Sequence, residues 1–376
     1  MRFFKFDKRD YETLLPFGFF LVFIIVVGFL VHYDVLEPQE VLINDQLITH
    51  SKPVPSDNLI QIGTYIENIY LFSSSDKTFD VAGRIWVNWP QEAEDFFQVR
   101  KLTPDKWLGF VNQVHGWDYK LEQIYDESIK LKDGHYYQGY KFSGHFYVND
   151  IQFQKFPFQT LKLPLVFELV DFAETDSIVS LHDPQLVPDE SSSGVGNYIG
   201  IAGYKMTAFN IFSNTHQYAS DFGLQRINAK PMRTSQVVFE TTYKPSVNAA
   251  LLTLFLPLLI VMTLALFSPM LSASLWDVRL SVPPTVLLTL IFLQQGYKDK
   301  LPELPYITYM DMIYNICYFI ILILFVLFLW GSNRLIRAPE IQKSVVIEHI
   351  DTIDSQFQIM LTISLFVLGG VAWFVV

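Results

Sequence analysis

Seven side chains between residues 277 and 299 recur at helical spacing. Asp277, Ser281, Thr285, Leu288, Phe292, Gln295 and Asp299 are separated by four, four, three, four, three and four residues. At roughly 100° per residue they stay within an arc of about 80°. One helix face then carries acid, two hydroxyls, leucine, phenylalanine, amide and acid. A helix facing only lipid has no use for such a stripe, whereas a helix lining water does. The chemistry implied is passage through an aqueous pore.

Two neighbours of the stripe bear on it. Arg279 follows Asp277 by two residues, so it points roughly 200° away and does not cancel that charge. It is expected to meet headgroups or a neighbouring carboxylate. Pro283 and Pro284 fall inside the same helix. Each removes a backbone donor and disfavours helix in the residue before it. Either the helix kinks at 282–284, or the regular helix starts near Pro283 and leaves Asp277–Ser281 looser.

The elements that must position this stripe are membrane spans. Apolar residues make up 51% of the 376 and charged residues only 17%, which points to the membrane rather than to a soluble core. Leu14–Tyr33, Ala249–Phe267, Met312–Trp330 and Phe357–Val376 are each about long enough to cross roughly 30 Å of hydrocarbon. The stripe helix, at about 277–297, is a fifth and less pure span. Arg2, Lys5, Lys8 and Arg9 precede the first run, and Arg334, Arg337 and Lys343 lie in the 331–356 connection. Both sets place those segments in the cytoplasm and the large domain outside. Residues 1–13 then form a cytoplasmic N-terminus, and 14–33 an anchor or uncleaved signal rather than a cleaved one. Residues 34–57 read as a tether able to span roughly 80 Å.

Residues 58–245 read as an all-β outer domain. Ile60–Phe72 and Phe79–Trp89 flank a Ser73–Lys77 turn, and Tyr136–Val148, Leu161–Val170, Tyr204–Phe212 and Gln236–Tyr243 continue the pattern. Many short strands broken by Gly, Pro and Ser predict a β-sandwich. Gln91–Asp126 reads as a long loop with one helical turn at most, and Val187–Gly200 as a polar loop. Residues 246–376 form a four-helix membrane domain.

This order of parts, with several local motifs, resembles the pentameric ligand-gated ion channels of the Cys-loop receptor superfamily, and most closely the prokaryotic type without the Cys-loop disulfide. Phe156-Pro157-Phe158-Gln159 is similar to the family's FPFD motif, with Gln159 in place of the acid. Thr78-Phe79 with Trp86 and Trp89 is similar to its first hairpin, and Gly203-Tyr204 stands where many members have Gly-Trp. Lys244-Pro245 is similar to the basic junction into the first pore-domain helix, and Pro257 to that helix's proline. Leu301-Pro302, Pro305-Tyr306, Thr308 and Asp311 are similar to the loop and third-helix start. The resemblance covers about residues 58–376.

The resemblance implies a homopentamer in a bacterial inner (plasma) membrane, multi-pass, with the large domain extracellular or periplasmic. It implies a cation-preferring channel opened by a small-molecule agonist or by protons, with lipids and permeant monovalent cations as further partners. Asp277 falls at the inner-mouth selectivity ring and Leu288 at the gate ring. A ring of carboxylates concentrates cations, and a narrow apolar ring dewets. The same Asp277 also suits a helix N-terminus, and Leu288 also suits ordinary packing. Asp76, Phe156, Pro157, Phe158, Gln159, Lys244, Pro302, Pro305 and Tyr306 are implied in coupling the outer domain to the pore. Trp117, Tyr119, Phe172 and Arg226 are candidates for the agonist pocket.

Other chemistries find little support. The single Cys317 lies in an apolar run, so an intrachain disulfide and a thiolate zinc site are both ruled out. His135 and His145 are expected as surface residues rather than metal ligands, although a hairpin would bring them together. The net charge of −11 and the lack of a basic cluster argue against nucleic acid. Gly194, Gly196 and Gly200 do not have dinucleotide spacing, and no catalytic motif is found, so neither a cofactor nor an enzyme activity is expected. The alternative function is a non-conducting membrane receptor or sensor on the same fold.

Overall fold

A computed structural model describes residues 46–49, 59–100, 103–114, 119–148, 151–169, 185–219 and 233–375. The expected anchor at 14–33 lies outside the described residues, as does the expected tether apart from residues 46–49. The described residues fall into two compact units. One is Ile43–Val261 with Thr289–Glu303, and the other comprises Met262–Leu288 and Leu304–Val376.

The first unit is a β-sandwich-like domain. Its five-stranded sheet runs β1 (Gln46–Thr49), β11 (Tyr204–Gln217), β12 (Arg233–Pro245), β8 (Leu161–Leu169) and β4 (Leu108–Phe110). The seven-stranded sheet runs β10 (Gly194–Tyr198), β2 (Leu59–Ser73), β3 (Thr78–Trp89), β7 (Tyr136–Tyr147) and β5 (Lys120–Gln123). Strand β6 (Ile129–Lys130) joins β7, and β9 (Gln185–Pro188) joins β2.

Alternation in the sequence builds the core. In β3, Val81, Ile85 and Val87 face inward while Arg84 faces out. In β8, Leu161, Leu163, Leu165 and Phe167 are buried while Lys162 is exposed. Period-two burial is what a half-buried strand requires. The sheets meet through Phe110 of β4, whose ring lies 5.4 Å from Phe142 and 5.0 Å from Phe146 of β7. It also lies 4.5 Å from Phe167 of β8.

Three segments depart from the sequence reading. Residues 46–49, expected in the tether, pair with β11 as an edge strand. Gln91–Asp126, expected as a loop, contains helix α1 (Gln91–Arg100), a short helix α2 (Pro104–Trp107) and strands β4 and β5. Phe97 of α1 stacks on Trp107 at 4.6 Å, and Trp89 Nε1 donates to buried Glu94 at 2.7 Å. That aromatic cluster fixes a helix that carries little apolar surface otherwise. Val187–Gly200, expected as a polar loop, supplies half of β9 and all of β10, both parallel to β2.

Among the described residues, four helical segments are long and apolar enough to cross a membrane: Val247–Met270, Ala273–Lys298, Tyr309–Ile336 and Glu340–Val375. The protein is thus membrane-embedded with a sheet-rich soluble part. The first span comprises α3 (Val247–Ala250), a π-helical turn at Leu251–Phe255, α4 (Leu256–Phe267) and a short 3-10 turn. Pro257 lacks an N–H and its ring crowds the carbonyl of Thr253, and the wider π turn accommodates both. The other spans contain α5 (Trp276–Lys298), α6 (Tyr309–Ile336) and α7 (Lys343–Val375).

Within the second unit, α6 and α7 pack closely. A Cβ on Gly331 would meet Ile350 at 3.2 Å, so the small residue permits the approach. At the other end Tyr309 meets Trp373 edge-on at 5.2 Å. Thr308 and Asp311 form a reciprocal capping box that starts α6. The last helix begins at Lys343, fourteen residues before the expected Phe357. Most of the connection expected at 331–356 is therefore helical, with only Arg337–Pro339 and a 3-10 turn at Glu340–Gln342 between the two helices.

Candidate pore helix and coupling site

Helix α5 runs without interruption from Trp276 to Lys298, with both prolines inside it. The looser start before Pro283 is thereby excluded. Pro283 and Pro284 cannot donate to the carbonyls of Arg279 and Leu280. At the carbonyls on either side, side chains supplement the backbone. The Ser281 hydroxyl donates to Val278 O at 2.7 Å, and the Thr285 hydroxyl to Ser281 O at 2.9 Å. The proline pair and Leu287 line an apolar groove of about 440 Å³ whose other wall is Tyr318, Leu322 and Phe325 of α6.

The two faces of α5 differ sharply. Asp277, Ser281, Thr285, Gln295 and Asp299 are all exposed. Leu288 and Phe292 are 55% and 68% exposed despite their size. Arg279, Pro283, Val286, Leu290 and Tyr297 are buried. Their spacing of four, three, four and seven residues traces a second face, roughly opposite the first. Every residue of the sequence-derived stripe is thus left uncovered by its own chain, and the packing contacts come from the reverse side. Near its end, Gln295 Nε2 donates to Asp299 Oδ1 at 2.7 Å.

Four of the coupling candidates, Phe156 to Gln159, form one turn within the sheet unit. The turn after β7 carries Phe156-Pro157-Phe158-Gln159, with a cis peptide before Pro157. Phe156 stacks on Tyr297 of α5, with ring centroids 5.9 Å apart and planes at 21°. Phe158 stacks on Phe255 in the π turn of the first span, at 5.8 Å and 24°. Pro157, between them in sequence, and Gln159, which follows, are buried. Gln159 Nε2 donates to the Tyr204 hydroxyl at 3.0 Å, so the buried amide has a neutral partner. Burial raises the pKa of Tyr204. Its ring meets Phe72 of β2 edge-on at 6.3 Å. One short motif therefore touches two membrane spans and, through Tyr204, both sheets.

The other coupling candidates are less engaged. Asp76 is exposed and accepts from the Ser73 hydroxyl at 2.7 Å, closing the β2–β3 turn. Lys77 in that turn has φ 54, and its carbonyl accepts from Val148 N–H at 2.8 Å. Lys244 is exposed and lies opposite Lys205 in the β11–β12 register. Pro302 and Tyr306 are half-buried, and Pro305 is exposed.

Of the agonist-pocket candidates, Trp117, Phe172 and Arg226 lie outside the described residues. Tyr119 is half-buried and packs edge-on against Phe110 at 5.9 Å. His145 does not meet His135. Instead it pairs with Asp80 across the β3–β7 ladder, while His135 lies 3.4 Å from Asp133. Among the described residues, no group of three or more His, Cys, Asp or Glu could hold a metal.

Sequence reasoning missed one polar cluster, and for Arg279 it gave headgroups or a neighbouring carboxylate without naming the partner. Asp189 accepts from Trp86 Nε1 at 3.0 Å and from the Ser191 hydroxyl at 2.8 Å, tying the β9–β10 segment to β3. The partner of Arg279 is Asp354 of α7. Both pairs are distant in sequence, and only the Asp-Glu-Ser-Ser-Ser run at 189–193 signalled a turn.

A sheet-rich domain followed by four apolar helices is compatible with a pentameric channel fold. Compared with protein-family models and with curated proteins, the chain matches none.

Proposed function

We propose that this chain is one subunit of a homopentameric, ligand- or proton-gated, cation-preferring channel whose pore is lined by α5. The observation that carries the proposal is the exposed stripe from Asp277 to Asp299 on an otherwise apolar span. Polar groups on a membrane helix need water or a partner, and copies arranged around an axis supply a shared aqueous path. In that arrangement Asp277 sets charge preference, while Leu288 and Phe292 form the constriction. Agonist or proton binding in the outer domain moves the Phe156–Gln159 turn, which acts on Tyr297 and Phe255.

The test is electrical. Purified protein in a planar bilayer, screened against pH and small ligands, is expected to give discrete currents that reverse near the cation equilibrium potential in asymmetric salt. Ligand binding with no current at any pH would favour a non-conducting receptor instead.

A further inference from the structure

Arg279 is a cation held inside the helical unit, 3% exposed. Its Nη2 meets the carboxylate of Asp354 on α7, and its Nη1 lies 3.8 Å from Asp351. The guanidinium sits 4.7 Å from the centre of the Phe328 ring on α6, and Nη2 donates to Pro269 O at 3.5 Å. Asp354 is 1% exposed, while Asp351 is partly exposed and accepts from Ala273 N–H at 2.8 Å. One arginine of the second span is thus gripped by the preceding turn, the third span and the fourth.

This arrangement matters for charge. Asp277 and Arg279 lie two residues apart and face opposite ways, so what reaches the stripe is the field of Arg279 through the protein interior. Low-dielectric surroundings do not hide an uncompensated buried cation, because its field is poorly screened there. Asp354 and Asp351 supply the compensation locally. Removing one partner of such a pair leaves the other charge buried and its field unopposed.

We propose that Asp354, on the fourth span, is a specificity-determining residue of the pore. By neutralising Arg279 it leaves the charge of Asp277 to set the potential along the stripe. The inference rests on the assignment of α5 as the pore helix, and it assigns an electrostatic role to a helix that does not carry the stripe.

A thiol reporter reads the local potential without requiring current. The only native cysteine, Cys317, is buried, so Ser281→Cys offers one accessible thiol on the stripe. The full chain in lipid vesicles is treated with a cationic and an anionic methanethiosulfonate reagent, and the ratio of the two rates is taken. Asp354→Asn is expected to lower the cation-to-anion ratio several-fold, and Arg279→Gln added to it to restore the ratio. An unchanged ratio in Asp354→Asn, or a fall that Arg279→Gln does not reverse, overturns the proposal. Where Asp354→Asn does not assemble, Asp351→Asn must lower the ratio in the same direction, and no change there overturns the proposal equally. Reversal potentials of the Ser281→Cys protein separate the two claims. Current without cation preference, beside an intact Asp354 effect, refutes the cation preference, and no current at all refutes the channel assignment; either leaves the electrostatic claim standing.

Discussion

Phe156 stacks on Tyr297, ring against ring, with centroids 5.9 Å apart. The first residue sits in a turn of the sandwich, and the second in the last turns of the stripe-bearing helix, where it is 1% exposed. Aromatic pairs of this kind contribute about 0.5–1.5 kcal/mol beyond the area they bury. If the contact transmits opening, Phe156→Ala and Tyr297→Ala should be non-additive. A double-mutant cycle on the half-maximal agonist concentration or pH should return a coupling of about that size. Additive effects would remove this contact from the coupling route.

Gln159 is 5% exposed and relies on the Tyr204 hydroxyl. Tyr204→Phe keeps the ring against Phe72 but leaves the buried amide without that partner. A loss of about 1–3 kcal/mol is expected in unfolding experiments. A loss near zero would mean that the amide finds another acceptor.

Asp189 gives the outer domain an acid-sensitive contact. Burial alone would raise its pKa, but hydrogen bonds from Trp86, Ser191 and Ser192 together outweigh burial and hold the carboxyl below its ordinary 3.8. A depressed folded value means stability that is complete above the unfolded value and lost as pH falls through the folded one. Trp86→Phe should therefore cost about 1.5–3 kcal/mol at pH 7. The cost should shrink below the carboxyl's folded pKa. Thermal unfolding of both proteins at neutral and strongly acidic pH checks this, and a pH-independent cost would contradict it.

Leu288 is the most direct test of the gate. In the proposed constriction, serine would put a hydroxyl where leucine excludes water, and the apolar side chain it removes is worth about 1.5–3 kcal/mol when fully buried. Leu288→Ser should shift half-maximal opening by about tenfold or more toward lower stimulus. Unaltered gating would assign the leucine to packing.

Much of this was legible in the sequence because it rests on local period. The strands β2 and β3 follow the alternation of Ile60–Phe72 and Phe79–Trp89, and the exposed stripe of α5 follows a spacing of three and four. Long-range partners were not legible. Glu348, His349, Asp351 and Asp354 break the hydropathy of the last span, so its helix was expected to start at Phe357 rather than Lys343. The carboxylate of Asp354 becomes tolerable there only because Arg279 faces it. Helix α1 was hidden by its acidic first turn, Glu92 and Glu94, whose burial partner Trp89 lies outside the helix. Strand β10 was hidden by Gly194 and Gly196, which weaken strand propensity but are tolerated at a sheet edge.

The central claim is that the Asp277 stripe lines a cation-preferring pore. Reversal potentials in a salt gradient, measured for the native chain and for Asp277→Ala, test it most directly. The account predicts reversal near the cation equilibrium potential, with a clear move toward zero in the variant. Anion preference in the native protein, or an identical reversal potential in both, would contradict it.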